Sequence, residues 1–272
     1  MPELPEVETV KKFLEKIFVG KKIFDIKLKN NKLRYQIPSK INKYFTNSII
    51  TKISRRGKYL IILSSNKKII LIHLGMTGFF RKKKKVDIRK HDHLIFFLEK
   101  DVVIYNDIRK FGFIKIYESK EFVNCSHLKN IGPEPLSHDF DKHYFKDRII
   151  SNRSIKSLLM DQKFVAGLGN IYCSEVLFEA RINPYKTTLD LKDNEIENII
   201  FSIKKILSRA IKFGGTSIKN FVVSDKKIGY FKNELKVYGR EGKICLRCSR
   251  GHTILKVFQN GRSSFFCKNC QL

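Results

Sequence analysis

Tryptophan is absent from the 272 residues, methionine occurs three times and proline six times. So little proline excludes a polyproline linker or a collagen-like repeat. Acidic residues are scarce: 26 Asp and Glu stand against 55 Lys and Arg, a formal net charge of +29. That deficit argues against a cationic partner and for a polyanionic one. No apolar run approaches the roughly 20 residues that a membrane span requires. The opening MPELPEVETV carries acidic residues where a secretory signal has its apolar core, so no export signal is expected. The protein is expected in the cytoplasm, a reducing compartment.

What is present points to a folded, basic protein. At 42% hydrophobic and 12% aromatic residues the chain is globular, and its length suits one large domain or two ordinary ones. Lysine supplies 41 of the 55 basic residues, in a chain also heavy in Ile, Asn and Phe. A/T-rich codon usage produces that pattern, so drift and a polyanionic partner both account for the charge. Nucleic acid is the partner the charge favours first, and no membrane partner is expected.

The six cysteines are unevenly placed. Cys125 and Cys173 stand alone and are expected to be small buried hydrophobes. Cys245, Cys248, Cys267 and Cys270 form two CxxC pairs with eighteen residues between them. In a reducing compartment disulfides are disfavoured, and this spacing lies within the zinc-ribbon range. Four thiolates complete the tetrahedral shell of one Zn2+ and leave no position for a catalytic water. The expected site is therefore structural.

Leu4, Val7, Val10, Leu14 and Ile17 recur at helical spacing, with Gly20 at the stop. From about Lys22 to Tyr117 the texture is that of short strands: Ile23–Leu28, Tyr59–Leu63, Ile69–His73, Leu94–Leu98 and Val102–Tyr105. Residues 131–136 carry two prolines and a glycine and read as a linker. Helices are expected over Phe140–Ile150, Ser154–Asp161, Asn170–Arg181 and Asp193–Phe213, with Ser154 and Asn170 as N-caps. Thr253–Phe258 and Ser263–Phe266 are expected to make a metal-pinned hairpin. The run Arg81 to Lys85 reads as a solvated hairpin tip.

Pro2 follows the initiator Met, and a small second residue permits removal of that Met. The secondary amine so exposed can attack an aldehyde-like carbon and form an iminium ion, a fixed cation that acts as an electron sink. The positive end of the first helix disfavours an ammonium at this place. Glu3, Glu6 and Glu8 lie beside it as proton donors or acceptors. Proline and acidic residues are equally ordinary signals of a helix start, and Lys58 could equally be a solvated lysine at the head of a strand.

The N-terminal MPELPEVET resembles the signature of formamidopyrimidine-DNA glycosylase. The similarity continues through Arg56-Gly57-Lys58-Tyr59-Leu60, His73-Leu74-Gly75-Met76-Thr77-Gly78, Lys90-His91-Asp92-His93 and Asp107-Ile108-Arg109-Lys110-Phe111-Gly112. It extends over Gly132-Pro133-Glu134-Pro135-Leu136, Leu159-Met160-Asp161-Gln162, Gly167-Leu168-Gly169-Asn170-Ile171-Tyr172, Gly229-Tyr230-Phe231, Val237-Tyr238-Gly239-Arg240 and the zinc pairs. The resemblance implies an α+β protein of two domains that acts as a monomer on double-stranded DNA, at the bacterial nucleoid. Residues 1–131 would be a catalytic β-sandwich with flanking helices. Residues 132–236 would be a helical helix-two-turn-helix domain, and 237–272 a four-cysteine zinc finger with a β-hairpin.

The activity so implied is base excision repair: the damaged nucleotide is flipped from the duplex, oxidised purines such as 8-oxoguanine and formamidopyrimidines are excised, and the strand is nicked by β,δ-elimination. Pro2 would be the Schiff-base nucleophile, Glu3 the acid that opens the sugar, and Glu6 its support. Lys58 and Arg262 would complete the catalytic set. Met76, Arg109 and Phe111 would fill the hole left by the base, with Arg109 facing the orphaned cytosine. His91, Arg109, Asn152, Arg153, Lys156, Asn170 and Arg262 would contact DNA, Arg153 better than Asn152. The segment 214–232 would close over the flipped base, and no role falls to the other six histidines.

Two alternatives stand beside this reading. An endonuclease VIII-type glycosylase for oxidised pyrimidines is opposed by Leu4, where that enzyme has glycine, and by the Met, Arg, Phe trio. A zinc-containing DNA-binding protein without catalysis would leave the Pro2-Glu3 start and Lys58 without purpose.

Overall fold

The computed structural model describes residues 2–216, 230–248 and 251–272. Most of the 214–232 segment, Gly229 included, therefore lies outside the described residues. The chain forms two compact units, Met1–Lys129 with Phe213–Lys232 and Asn130–Lys212 with Asn233–Leu272.

The first unit opens with helix α1 (Leu4–Phe18). Its buried stripe, Leu4, Val7, Val10, Leu14, Ile17 and Phe18, has the period of one helix face. A capping box starts it: the Glu3 side chain accepts from the Glu6 amide, and the Glu6 side chain accepts from the Glu3 amide. After it come β1 (Asp25–Leu28), α2 (Ile41–Phe45), β2 (Ile50–Arg56), β3 (Tyr59–Ser64), β4 (Lys68–His73), β5 (Phe79–Lys83), β6 (Asp92–Phe97), β7 (Val102–Asn106) and β8 (Phe113–Glu118). Two single turns, α3 (Ser119–Phe122) and α4 (Ser126–Lys129), follow.

The strands make two antiparallel four-stranded sheets, ordered β1-β6-β7-β5 and β2-β3-β4-β8. Ile26, Phe80, Leu94, Phe96, Val103 and Tyr105 of one sheet share a core with Ile53, Leu60, Ile62, Ile70, Ile72 and Ile114 of the other, and with the α1 stripe. That is the expected β-sandwich. Strands β2, β5 and β8 fall outside the runs named from the sequence pattern. The expected solvated tip is corrected at Arg81, which lies in β5 and is fully buried. Its guanidinium is tolerated there because it grips both oxygens of the equally buried Asp92.

The second unit carries α5 (Lys142–Asp147), α6 (Ile155–Met160), α7 (Asn170–Ala180), α8 (Asp193–Lys212) and the hairpin β9 (Leu255–Gln259) and β10 (Arg262–Phe266). Helix α5 is shorter than its pattern: the Asp141 side chain caps its start, accepting from the Tyr144 amide at 2.8 Å, and it ends at Asp147 where Arg148 leaves the helical conformation. Ser154 caps α6 as expected, accepting from the Ser157 amide. The N-cap of α7 is Gly169, not Asn170, which is the first helical residue. Helix α7 is buried on nearly every side, whereas α8 buries one stripe, Ile196 to Ala210. The 131–136 segment is pinned rather than loose: Gly132 donates to the Gln162 carbonyl and Pro133 accepts from the Ala166 amide. Cys125 and Cys173 are buried, as expected. No described helix is long and apolar enough to cross a membrane.

Candidate active site and nucleic-acid interface

Pro2 is buried at the start of α1, and Glu3 and Glu6 are each 2% exposed. Both oxygens of Glu6 are committed. Oε2 accepts from the Glu3 amide at 2.8 Å, and Oε1 accepts from the Thr216 amide at 2.7 Å and its hydroxyl at 3.0 Å. The carboxylate thus ties the helix start to the residue that precedes 217–229. Lys58 is also buried and lies in the β2–β3 turn, after Gly57 at φ +53°. Arg55 braces that turn, donating from Nη1 to the Gly57 carbonyl at 3.0 Å and from Nε to Glu8 at 2.8 Å.

Glu8, expected beside the amine as a proton carrier, instead faces Arg55 and Lys11. Burial works to raise its pKa, but the Arg55 hydrogen bond and charge, with the charges of Lys11 and Lys12, hold it below the usual carboxylate range. Glu8 and Arg55 are separated by 47 positions. For Arg55 and Thr216 the sequence carried no pointer, and for Glu8 only its place in the N-terminal signature.

Met76, Arg109 and Phe111 are brought together. Met76 sits on the turn between β4 and β5, Arg109 and Phe111 on the turn between β7 and β8. All three line a cavity of about 650 Å³ with Arg34, His73 and Lys110. The Arg109 guanidinium lies over the Phe111 ring, 4.6 Å from its centroid, and the ring is 47% exposed. His73, given no role by the sequence, accepts from the Gly75 amide at 3.1 Å and stacks on Phe113 at 5.7 Å. Burial, aided by the charges of Lys58, Arg34 and His127, lowers its pKa to about 4. His91 has φ +70°, and its carbonyl accepts from the Asp107 amide at 3.1 Å.

In the second unit a cleft of about 230 Å³ is lined by Arg153, Lys156, Asp161, Gln259 and Arg262, among others. Arg153 engages Asp161 through both terminal nitrogens at 3.2 Å. Asn152 is exposed and does not line the cleft. Lys156 is only 3% exposed, and its ammonium donates to the Ser263 carbonyl at 3.0 Å and the Ser264 hydroxyl at 2.6 Å. Asn170 donates to the same carbonyl at 2.9 Å. Both residues therefore grip the hairpin next to Arg262, which stays exposed beyond the Asn260-Gly261 turn.

The four cysteine sulfurs lie within 4.8 Å of one another. Cys245 and Cys270 are 3.8 Å apart, as are Cys248 and Cys267. A tetrahedron with metal–sulfur bonds of about 2.3 Å has edges of about 3.8 Å, so the set fits one zinc ion and closes its shell. Burial raises the Cys245 thiol, but the amides of Cys248 and Arg247 bring it down to about 7. Burial and the neighbouring thiols push Cys270 up to about 12. A bound cation would offset that cost of ionisation. The cluster packs with Phe178 of α7, Val237, Ile254 and Phe265, which makes it a structural centre.

Comparison with known proteins agrees with this arrangement. The formamidopyrimidine-DNA glycosylase N-terminal domain matches residues 1–114, and the formamidopyrimidine-DNA glycosylase H2TH domain matches residues 131–222. The chain is 46% identical over 274 residues to the formamidopyrimidine-DNA glycosylase of Rickettsia canadensis (strain McKiel), covering 100% of this chain and 99% of the relative. It is 43% identical to that of Rickettsia bellii (strain OSU 85-389), with the same coverage. Among solved structures, Lactococcus lactis Fpg in complex with abasic-site DNA superposes with a TM-score of 0.91 at 40% identity, over 99% of both chains. A mutant of the same protein with Fapy-dG DNA gives 0.92, at the same identity and coverage. The chain belongs to the formamidopyrimidine-DNA glycosylase family.

Proposed function

We propose that the protein is a DNA glycosylase of base excision repair that excises oxidised purines from duplex DNA and then acts as a lyase on the abasic site. The observation that carries this reading is Pro2, buried at the positive end of a 15-residue helix beside two buried carboxylates, Glu3 and Glu6. Freed of Met1, its secondary amine attacks C1′ of the damaged nucleoside. Glu3 protonates the ring oxygen as the sugar opens, and the C1′–N bond to the base breaks, the base leaving with the bonding electrons and taking up the proton that the proline nitrogen releases. The resulting iminium acidifies the C2′ protons, so loss of one expels the 3′ phosphate, and a second elimination expels the 5′ phosphate. Lys58 serves as the proton donor in these eliminations, and Glu6 holds the helix start in place.

Met76, Arg109 and Phe111 fill the space left by the flipped nucleotide. His91, Arg153, Asn170, Lys156 and Arg262 grip the backbone, the buried Lys156 and the half-buried Asn170 through the hairpin they hold. Residues 1–131 carry the chemistry, 132–236 the helical DNA-binding part and 237–272 the zinc finger; such an enzyme works at the nucleoid. The deciding experiment mixes Met-processed protein with an 8-oxoguanine:cytosine duplex and borohydride. A covalent adduct is expected that maps to Pro2. An equal adduct with Pro2→Gly would remove the assigned nucleophile, and preference for a thymine-glycol duplex would favour an endonuclease VIII-type substrate range.

A further inference from the structure

The two turns that carry Met76, Arg109 and Phe111 are not independent loops. Asp107, fully buried, joins them through its carboxylate: Oδ1 accepts from the Thr77 hydroxyl at 2.5 Å, and Oδ2 accepts from the Gly112 amide at 2.8 Å. Thr77 in turn accepts from the Arg109 amide at 3.0 Å. One carboxylate and one hydroxyl thus bind the residue after Met76, the backbone of Arg109 and the residue after Phe111. The turns also touch directly. A Cβ on Gly75, which has φ +60°, would lie 2.3 Å from the Gly112 nitrogen and 2.4 Å from the Phe111 carbonyl carbon. A Cβ on Gly112 would meet the Tyr105 hydroxyl at 2.3 Å and Asp107 Oδ2 at 2.9 Å. Asp107 is itself fixed on its backbone, donating to the His91 carbonyl at 3.1 Å and meeting the His93 Nε2 with its own carbonyl at 3.0 Å.

We propose that Asp107, acting through Thr77, is a positioning residue that welds the two turns into one rigid unit, so that Met76, Arg109 and Phe111 enter the base stack together and in register with the opposite base. The inference rests on the reading that these three side chains fill the void. Its physical ground is that a guanidinium distinguishes cytosine from adenine only when its backbone is held to a fraction of an ångström. Two turns on separate hinges would not hold it. A preformed abasic site makes a smaller demand, because no damaged base has to be unstacked there.

The test uses the full-length, zinc-loaded protein in single-turnover reactions on 8-oxoguanine opposite cytosine, 8-oxoguanine opposite adenine, and a preformed abasic site. Thr77→Val removes the hydroxyl and keeps the shape. It is expected to lose about tenfold on the cytosine-paired lesion, as for one lost buried hydrogen bond, and to lose preference for cytosine over adenine. Abasic-site cleavage stays within about twofold. Thr77→Ser is expected to restore both, and Asp107→Asn to be the more severe variant, with thermal melting followed throughout. Unchanged excision and preference in Thr77→Val overturns the proposal, as does an equal loss on all three substrates, which would assign Thr77 to folding alone. Arg109→Ala separates the layers. If it keeps the preference, the void-filling reading itself fails; if it loses the preference while Thr77→Val keeps it, only the coupling fails.

Discussion

Glu6 holds Thr216 from 210 positions away, its Oε1 accepting both the Thr216 amide and hydroxyl while Oε2 accepts the Glu3 amide. One carboxylate therefore fixes the helix start that bears Pro2 and the chain that leads into 217–229. Gly215 makes this approach feasible: at φ +77°, a Cβ there would meet Glu6 Oε1 at 2.7 Å.

Replacing Glu6 with alanine leaves buried donors without an acceptor, which costs about 1–3 kcal/mol for each group stranded. Glu6→Ala is therefore expected to lower stability by about 3 kcal/mol in urea denaturation and to reduce borohydride trapping. Glu6→Gln, which keeps one carbonyl oxygen, is expected to fall between. Wild-type stability and trapping in Glu6→Gln would show that the charge is not needed.

His73 predicts an acid-side loss of stability. Its pKa in the folded chain is about 4, against an ordinary value of 6.5. Above pH 6.5 the ring is neutral in both states and its contribution is whole. As pH falls from 6.5 towards 4 the unfolded chain takes up a proton that the folded chain refuses, and at most about 3 kcal/mol is lost. The unfolding free energy measured across this window is expected to fall less steeply in His73→Phe than in the parent.

The buried Arg81–Asp92 pair predicts an asymmetric result. Asp92 also accepts from the Asn106 side chain at 2.8 Å and the Arg89 amide at 2.7 Å. Against burial, these bonds and the Arg81 guanidinium keep its carboxyl below the usual range. Asp92→Ala strands the guanidinium and is expected to cost about 3–5 kcal/mol in denaturant. The apolar double variant Arg81→Met with Asp92→Leu is expected to recover much of that loss. Equal destabilisation in the double variant would mean that the charges themselves hold β5 and β6 on either side of β7.

Zinc removal is expected to act on the second unit. Chelation should weaken duplex DNA binding, because Arg262 loses the hairpin that presents it, and should leave the melting of the sandwich unchanged. Arg262→Ala should weaken binding similarly without lowering stability, and should reduce the salt dependence by about one phosphate contact. Unchanged affinity after verified zinc loss would separate the metal from DNA binding.

The legible parts of this chain were those whose partners lie nearby. The α1 stripe repeats every three or four residues, and two CxxC pairs announce a tetrahedral site. The burial of Arg81 is not legible in sequence because its partner Asp92 lies 11 positions on and on another strand, so a run of five basic residues has the pattern of solvent-facing lysine. Asn170 has a side chain that suits a cap, but the extended Gly169 precedes it and the Asn170 side-chain amide turns to Ser263 instead.

By itself the sequence determined the family and the zinc set, because signature motifs, thiols and helix periods are written in residue identity and short spacing. The tertiary structure alone decided what holds those residues in place. Glu8 against Arg55, Asp107 against Thr77 and Gly112, and Lys156 and Asn170 against Ser263 are hydrogen bonds between groups mostly far apart in the chain. Only closure of the folded units brings such partners within hydrogen-bonding reach, where burial raises the cost of leaving any of them unpaired.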